Sequence, residues 1–337
     1  MVISRGAPLA GALLLAAGAA AGPARAADPV VLKLGTLAPA GSAWHELLQE
    51  LARRWEVESG GRVRLRVYPG GVQGSEGEMI RKLEIGQLQA VAITDIGMHD
   101  ILPEPQALST PMLFDDAAEL GCTLDRVAAP LAAALARHGY VVLQWSRVGA
   151  ASFFCTGPVA TPDALGARRL FAWEGDPATV DAWRAIGFRP VVLSSTDLLP
   201  ALETGMVDCV GNVPLYMLTT GAFQKARYLV DLPWSWLLAG TLVRADAWER
   251  VPPELRPRLA AIARELGLRI DQAVRRLDEE AVAAMRRRGL QLVEVDRAAW
   301  RDRLVRSWPA LRGAAVPAPF FDEVVAARDA CRAAAAR

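Results

Sequence analysis

The sequence predicts an α/β protein with two lobes, each built from largely parallel strands that alternate with helices. Strand-like and helix-like segments alternate from Val31 onward, which is the pattern of parallel β-α-β units. One long helical segment, residues 252–289, follows this alternation and is long enough to span both lobes. The chain has 337 residues, of which 52% are hydrophobic, so it can bury one or two ordinary cores and is not disordered.

Residues 1–26 have the pattern of a cleavable secretory signal. Arg5 precedes an apolar run over residues 7–21, and the Ala-Arg-Ala of residues 24–26 fits a small-x-small cleavage site. The apolar run is shorter than the roughly 20 residues that span a bilayer, so we expect cleavage rather than anchoring. No cysteine follows the cleavage site to accept a lipid. The mature chain is therefore expected to be soluble in the periplasm of a Gram-negative cell.

The charge balance excludes a general nucleic-acid binder. The chain carries 38 Lys and Arg residues against 37 Asp and Glu residues, a formal net charge of +1. Neutralising a row of phosphates needs a concentrated surplus of basic side chains, which this balance does not offer. Arginine alternates with apolar residues over residues 62–67, which predicts a strand with one buried and one solvated face.

The first lobe is predicted to comprise residues 27–150. Ser42 is a favoured N-cap residue, and apolar side chains recur at i, i+3, i+4, i+7 and i+11 from Trp44, so this stripe, with Trp44, is expected to face a core. The expected elements are strands at 31–37, 62–67, 90–94 and 140–145, with helices after Ser42, at 76–85 and after Asp115-Asp116.

The second lobe is predicted to comprise residues 151–232, and part of residues 233–337 is expected to return to the first lobe. Asp176-Pro177 is a strong helix start, because it combines an N-cap Asp with Pro at the first helical position. The other expected elements are strands at 169–173, 190–193 and 206–210, a helix at 196–204, and terminal helices within residues 297–337, at 300–311 and 320–335.

Four cysteines are present, and their pairing is left open. They are Cys122, Cys155, Cys209 and Cys331. An even number in an oxidising compartment permits disulfides, but the four lie far apart in the sequence and a domain of this size does not need them. Three stand in apolar surroundings, so we favour their interpretation as small buried hydrophobic side chains.

The sequence contains none of the common enzyme signatures. The G-x-S-x-G, G-x-x-x-x-G-K-[ST], G-x-G-x-x-G, C-x-x-C and H-E-x-x-H motifs are missing. The three histidines, His45, His99 and His138, are widely separated, which disfavours a histidine metal site or catalytic triad. The glycine-rich residues 70–77 are predicted to form a turn rather than a phosphate cradle. We expect no catalysis, metal or cofactor; a secreted hydrolase is the alternative class.

Several segments match motifs of a known family over nearly the whole mature chain. They are Leu32-Lys33-Leu34-Gly35-Thr36, the helix start at residues 39–45, Tyr68-Pro69-Gly70-Gly71-Val72-Gln73-Gly74, residues 82–89, Thr110-Pro111-Met112-Leu113-Phe114, residues 161–166 and residues 199–208. With these segments the chain resembles the solute-binding proteins of tripartite ATP-independent periplasmic (TRAP) transporters, of the DctP type.

The resemblance implies a two-lobed periplasmic solute-binding protein fold, with the lobes joined by crossing strands and the long helix. A small organic solute would be clamped between the lobes and delivered to TRAP membrane subunits. The resemblance extends to the subgroup whose periplasmic partner is a tetratricopeptide-repeat lipoprotein. A sensory module that feeds a receptor would have the same sequence features.

The family's carboxylate clamp is altered in this chain. Carboxylate-binding members carry an Arg at the end of a Gly-x-Lys-x-Arg run, but residues 166–170 read Gly-Ala-Arg-Arg-Leu, so Leu170 stands there. A second family Arg corresponds to Ala151, and Arg147 is the candidate to replace it. The resemblance therefore implies an apolar or weakly polar solute; a carboxylate held by Arg147 or Arg169 is the alternative.

The candidate ligand-binding residues are assigned by the resemblance to the segments that form the cleft. They are the polar Asp95, Arg147 and Asn212 and the apolar or aromatic Phe153, Leu170, Trp173, Tyr216, Trp234 and Trp236. Apolar walls with few polar groups suit a hydrophobic solute. Asp208 is expected to fix its local turn instead.

Overall fold

The structure is a computed structural model that describes Val2, residues 28–175 and residues 177–336. Except for Val2, the predicted secretory signal lies outside the described residues, and so does the predicted cap residue Asp176. The described residues form ten strands, which are β1 (Val30–Thr36), β2 (Val63–Tyr68), β3 (Ala90–Thr94), β4 (Tyr140–Cys155), β5 (Arg169–Trp173), β6 (Arg189–Leu193), β7 (Cys209–Asn212), β8 (Tyr228–Val230), β9 (Ser235–Arg244) and β10 (Gln291–Val293).

Helices cover both faces of the strands. They are α1 (Ala43–Glu58), α2 (Glu76–Glu84), α3 (Asp95–Met98), α4 (Ala117–Arg137), α5 (Pro162–Gly166), α6 (Pro177–Ala185), α7 (Leu198–Glu203), α8 (Pro214–Thr219), α9 (Ala245–Glu249), α10 (Arg256–Arg287), α11 (Arg297–Leu304), α12 (Trp308–Ala310) and α13 (Ala318–Ala335). A 3-10 segment at Glu104–Ser109 precedes α4.

The strands form one mixed sheet that runs through both lobes. Its order is β2-β1-β3-β9-β4-β7-β5-β6, and β8 pairs with both β4 and β10. β1 is parallel to β2 and β3, and β5 is parallel to β6 and β7, which agrees with the predicted parallel units. The α/β class with two lobes is thus confirmed.

Two long antiparallel strands connect the lobes. β4 and β9 pair from Tyr140 opposite Arg244 to Ala151 opposite Ser235, with a register shift between Arg147 and Gly149. β9 also pairs with β3 in the first lobe, whereas the end of β4 pairs with β7 and β8 in the second. The predicted lobe boundary after residue 150 therefore falls inside β4, and these are the crossing strands that the resemblance implied.

The long helix α10 is the third connection. It packs against β4, against α1 of the first lobe and against α8 of the second. The Trp55 indole N–H of α1 donates to the Leu259 carbonyl of α10 at 3.0 Å, and both side chains are fully buried. The predicted helix of residues 252–289 is confirmed, with ends a few residues inside the predicted ones.

The predicted helix caps are observed. The Ser42 hydroxyl accepts from the His45 N–H at 3.3 Å, and the Asp116 carboxylate accepts from the Glu119 N–H at 2.8 Å. The predicted terminal helix at 300–311 is helical throughout but divided, because α11 ends at Leu304 and a 3-10 turn at Val305–Ser307 leads into α12. β8, β9 and α8 were not predicted from the residue pattern.

The favoured interpretation of the cysteines as unpaired is wrong. Cys122 of α4 is bonded to Cys331 of α13, and Cys155 of β4 is bonded to Cys209 of β7. Cys155 and Cys209 stand directly opposite each other in the sheet and both are fully buried, so burial in apolar surroundings did not distinguish a thiol from a disulfide. The sequence separations of 209 and 54 residues hid this proximity.

Candidate functional site

Two neighbouring cavities lie in the cleft between the lobes. Their empty volumes are about 940 Å³ (first cavity) and 920 Å³ (second cavity), counting the parts open to solvent. Ile96, Trp173 and Leu237 line both cavities. Each cavity is lined by residues from both lobes, so a movement of one lobe toward the other would change the shape of both cavities.

The first cavity has an aromatic wall from the second lobe. Phe153 and Trp234 stack with ring centroids 4.9 Å apart and an interplanar angle of 6°, and Trp183 meets Trp234 edge-on at 5.3 Å. β4 supplies Phe153, α6 supplies Trp183, and Trp234 immediately precedes β9, its N–H donating to the Ala151 carbonyl. This wall presents flat apolar surface to whatever occupies the cavity.

Asp95 faces the first cavity from the first lobe. It follows β3 directly, is fully buried, and neither carboxylate oxygen has a hydrogen-bond partner among the described residues. The nearby Ser109 hydroxyl and the backbone N–H groups of Asp95 and Leu238 lower its pKa without forming a hydrogen bond to either oxygen. The Ser109 hydroxyl donates its only proton to the Trp236 carbonyl at 2.7 Å. Burial dominates and raises the pKa of Asp95 to about 7, because a dry environment disfavours the charged form.

The second cavity combines aromatic and polar side chains. Trp44 of α1 and Tyr216 of α8 line it from opposite lobes, and the Trp44 indole N–H is buried without a partner in the described residues. Asn212, which is also buried, lines the same cavity, and its side-chain oxygen accepts from the Val213 N–H at 2.8 Å. Burial raises the pKa of Tyr216 to about 12, so its hydroxyl stays protonated.

Glu76 is the acidic group of the second cavity. Its two oxygens accept from the Thr94 N–H and the Thr94 hydroxyl, each at 2.7 Å. Burial raises its pKa, and these donors oppose that shift. Gly97 leaves room for this carboxylate, because a Cβ there would lie 2.6 Å from a Glu76 oxygen.

The two cavities have no basic counterpart for these acids. Among the described residues that line them, none is Lys, Arg or His. Asp95 and Glu76 are the acidic side chains in the same set. The electrostatic environment therefore opposes an anion and favours a neutral or cationic group.

Most of the sequence-predicted site residues meet at these cavities. The first cavity is lined by Asp95, Phe153, Leu170, Trp173 and Trp234, and the second by Trp173, Asn212 and Tyr216. Leu170, the position at which the sequence resemblance led us to look for a clamp Arg, is 2% exposed and apolar.

Arg147, Arg169 and Trp236 lie elsewhere. Arg147 pairs with Asp271 of α10 at 3.1 Å and donates to the Ala117 carbonyl at 2.8 Å. Trp236 packs against a core of the first lobe, outside both sets of lining residues, because alternate residues of β9 point to opposite faces. Arg147 and Trp236, both predicted to bind the ligand, therefore line neither cavity.

Arg169 is held by Asp208 on the surface. Its Nη2 lies 2.8 Å from the carboxylate, and the Arg169 side chain is 52% exposed. The guanidinium keeps the pKa of Asp208 below its usual range. Asp208 also accepts from the Arg169 N–H at 2.9 Å, so it fixes the local backbone as expected. Arg169 lines neither cavity.

Sequence reasoning missed several polar or aromatic lining residues, among them Trp183 in the first cavity and Trp44, Glu76 and Gln144 in the second. Trp44 was assigned to the core, and it does pack there, yet it also borders the second cavity. Glu76 and Gln144 carried no signal beyond their places in a helix start and a strand. A carboxylate two residues before a capping Glu, in the Ser75–Glu78 capping box, is a pattern that could have drawn attention to Glu76.

The described residues offer no metal centre and no membrane span. No group of three or more His, Cys, Asp or Glu side chains within them could hold a metal ion. None of their helices is both long and apolar enough to cross a bilayer.

A family model and curated relatives match most of the chain. Residues 34–312 match the family described as bacterial extracellular solute-binding protein, family 7 (DctP). A solute-binding protein of Chromohalobacter salexigens is 27% identical over 266 residues, covering 77% of this chain and 76% of the relative. The C4-dicarboxylate-binding periplasmic protein DctP of Rhodobacter capsulatus is 24% identical over 291 residues, covering 82% and 84%.

Solved structures share the fold. A TRAP periplasmic solute-binding protein from Xanthobacter autotrophicus with bound β-D-galacturonate superposes with a TM-score of 0.82 at 19% identity, covering 88% of this chain and 99% of that one. One from Sulfurospirillum deleyianum with bound succinate gives 0.81 at 18% identity, covering 88% and 99%. Together with the family match, these findings confirm the resemblance drawn from the sequence motifs.

Proposed function

The chain belongs to the bacterial extracellular solute-binding proteins of family 7, and on that premise we propose that it captures an apolar or weakly polar solute between its lobes for a TRAP transporter. The observation that supports this solute class is the composition of the two cavities. Their described lining residues are mainly aromatic and aliphatic and include no basic side chain. A carboxylate would enter beside Asp95 and Glu76 without a counter-charge, which is unfavourable in a buried site.

The relatives bind other solutes. The named relatives include a C4-dicarboxylate-binding protein and structures with bound galacturonate and succinate. In this chain Leu170 replaces the expected clamp Arg, while Arg147 is engaged by Asp271. We therefore place the carboxylate reading second.

The captured solute would be delivered to the membrane part of a TRAP transporter. We propose that residues 1–26 export the chain to the periplasm, where it hands its solute to TRAP membrane subunits. A tetratricopeptide-repeat lipoprotein is the proposed additional partner. Genes for a pair of membrane subunits next to this one would support transport over a sensory role.

Catalysis is not part of this proposal. A hydrolase needs a nucleophile beside a base. Ser109 and Ser235 line the first cavity, but their hydroxyls donate to the carbonyls of Trp236 and Ser109, and no described lining residue is a histidine.

A thermal-shift screen of residues 27–337 tests the solute class. One set of compounds contains small carboxylates and the other apolar or lipid-like molecules, because tight binding to the native state raises its apparent stability. We expect stabilisation by members of the apolar set only. Stabilisation by carboxylates alone would refute the proposed solute class and revive the carboxylate reading.

A further inference from the structure

Asp95 lacks the hydrogen bonds that normally stabilise a buried structural carboxylate. It is fully buried, and both of its oxygens lack a hydrogen-bond partner among the described residues. Glu76, its acidic neighbour, shows the normal pattern, because Thr94 satisfies both Glu76 oxygens. Buried carboxylates are ordinarily paired or hydrogen-bonded, so the unpartnered oxygens of Asp95 have the capacity to accept from a bound solute.

The hydroxyls around Asp95 are already committed. Ser109 donates to the Trp236 carbonyl at 2.7 Å, and Ser235 donates to the Ser109 carbonyl at 2.6 Å. A serine hydroxyl has a single proton, so neither can serve Asp95 without breaking its present bond. Both serines line the first cavity with Asp95, so the neighbouring hydroxyls leave this carboxylate unpartnered at the wall of the cavity.

The rest of the first cavity fits an apolar cation. Trp173, Trp183 and Trp234 line it, and the faces of indole rings attract cations. No described lining residue supplies a positive charge, so an incoming cation meets no competing basic group. Glu76, which lines the second cavity, is the acidic side chain close enough to raise the pKa of Asp95, so the surroundings of Asp95 are acidic rather than basic.

We propose that the solute carries a protonated amine that pairs with Asp95 in the first cavity while its apolar body lies against the tryptophans. This inference rests on the proposed function and narrows its solute class to organic ammonium compounds. The amine would donate two hydrogen bonds to oxygens that otherwise have none, and Asp95 would act as the residue that discriminates between head groups.

A matched ligand series tests the proposal. The probes are straight-chain alkylammonium ions from butyl to decyl, the alcohols of equal chain length and the corresponding carboxylates, measured by isothermal titration calorimetry. The proteins are the mature wild type, Asp95→Asn and Asp100→Asn. The Asp100→Asn control removes one exposed acid five residues away, two residues past the end of α3. Asp95→Asn keeps the side-chain shape and removes an uncompensated buried charge, so it should fold, which circular dichroism checks.

We expect the wild type and Asp100→Asn to bind alkylammonium ions about ten-fold or more tighter than the alcohols, the scale of a charge-assisted hydrogen bond, and Asp95→Asn to lose this preference. Equal affinity for ammonium ions and alcohols would overturn the pairing with Asp95 and leave the apolar-solute proposal standing. Preference for carboxylates, or binding of none of the three series, would overturn both.

Discussion

Asp278 is placed where its titration should control stability. It lies on α10, and its carboxylate accepts from the Ala150 N–H of β4 at 3.3 Å and from the Leu215 N–H of α8 at 3.2 Å. The Asp278 side chain thus links α10 by hydrogen bonds to the crossing strand β4 and to α8 of the second lobe. Burial raises its pKa from the ordinary value of 3.8 to about 7, against the two backbone donors.

The sign of the effect follows from proton binding. Between about pH 4 and about pH 7 the folded state keeps a proton on Asp278 that the unfolded chain has released, so the free energy of unfolding falls as the pH rises. A shift of about three pKa units corresponds to about 4 kcal/mol. Because the side chain is partly exposed to solvent, we take this as an upper bound.

Asp278→Asn should remove this pH dependence. The amide replaces one acceptor oxygen with a donor, which weakens one of the two backbone hydrogen bonds. At about pH 4 the variant should therefore be less stable than wild type by about 1 kcal/mol. From about pH 4 to about pH 8 its free energy of unfolding should then gain up to about 4 kcal/mol relative to wild type.

Urea unfolding at several pH values measures the difference. Tryptophan fluorescence and circular dichroism should be followed together to check that one transition is observed. Asp302→Asn, on an exposed position of α11, controls for the loss of one charge. A difference between Asp278→Asn and wild type that stays constant to within about 1 kcal/mol over this range would refute the assignment.

Three further predictions follow from contacts described above. Trp173→Ala should weaken solute binding but change the melting temperature of the unliganded protein little. Trp300→Ala, a fully buried control, should lower the free energy of unfolding by about 3–5 kcal/mol. A comparable loss of stability in both variants would assign Trp173 to the core. Arg147→Met should destabilise by about 3–5 kcal/mol because the largely buried Asp271 carboxylate loses its counter-charge and keeps only the backbone N–H of residue 147 as a donor. Adding Asp271→Asn should restore much of the loss; lost solute binding at unchanged stability would contradict this role. The native protein should react with maleimide only after denaturation and reduction, and replacing Cys122 and Cys331 by Ala should lower the free energy of unfolding by about 2–5 kcal/mol; labelling before reduction would show free thiols.

Local signals in the sequence predicted much of the fold. The cap at Ser42 and the apolar period that follows it depend on neighbouring residues, so α1 was predictable. β9 was not, because a strand buried between β3 and β4 shows no alternation of apolar and polar residues. The disulfides depend on spatial proximity between distant segments, which composition does not reveal.

The candidate site was predictable in part for the same reason. Leu170 and Trp173 lie on β5, whose position in the cleft followed from the family pattern. The roles of Arg147 and Trp236 depended on which face of β4 and β9 each residue occupies, and the register shift between Arg147 and Gly149 disturbs simple alternation there. The unpartnered state of Asp95 emerges only from the packing of Ser109 and Ser235.

The place of β9 in the sheet also constrains how the chain folds as it emerges. β9 separates β3 from β4 in the first lobe, yet it is the ninth strand in chain order. Until β9 has been synthesised, to residue 244, β3 can pair with β1 on one side, but its other edge has no partner. An unpaired strand edge can pair with other chains, so the amino-terminal half should be prone to aggregation until β9 has been synthesised. The first lobe is synthesised first, yet it can complete its sheet only after β5 to β8 of the second lobe have emerged, and truncations before residue 244 should yield insoluble protein.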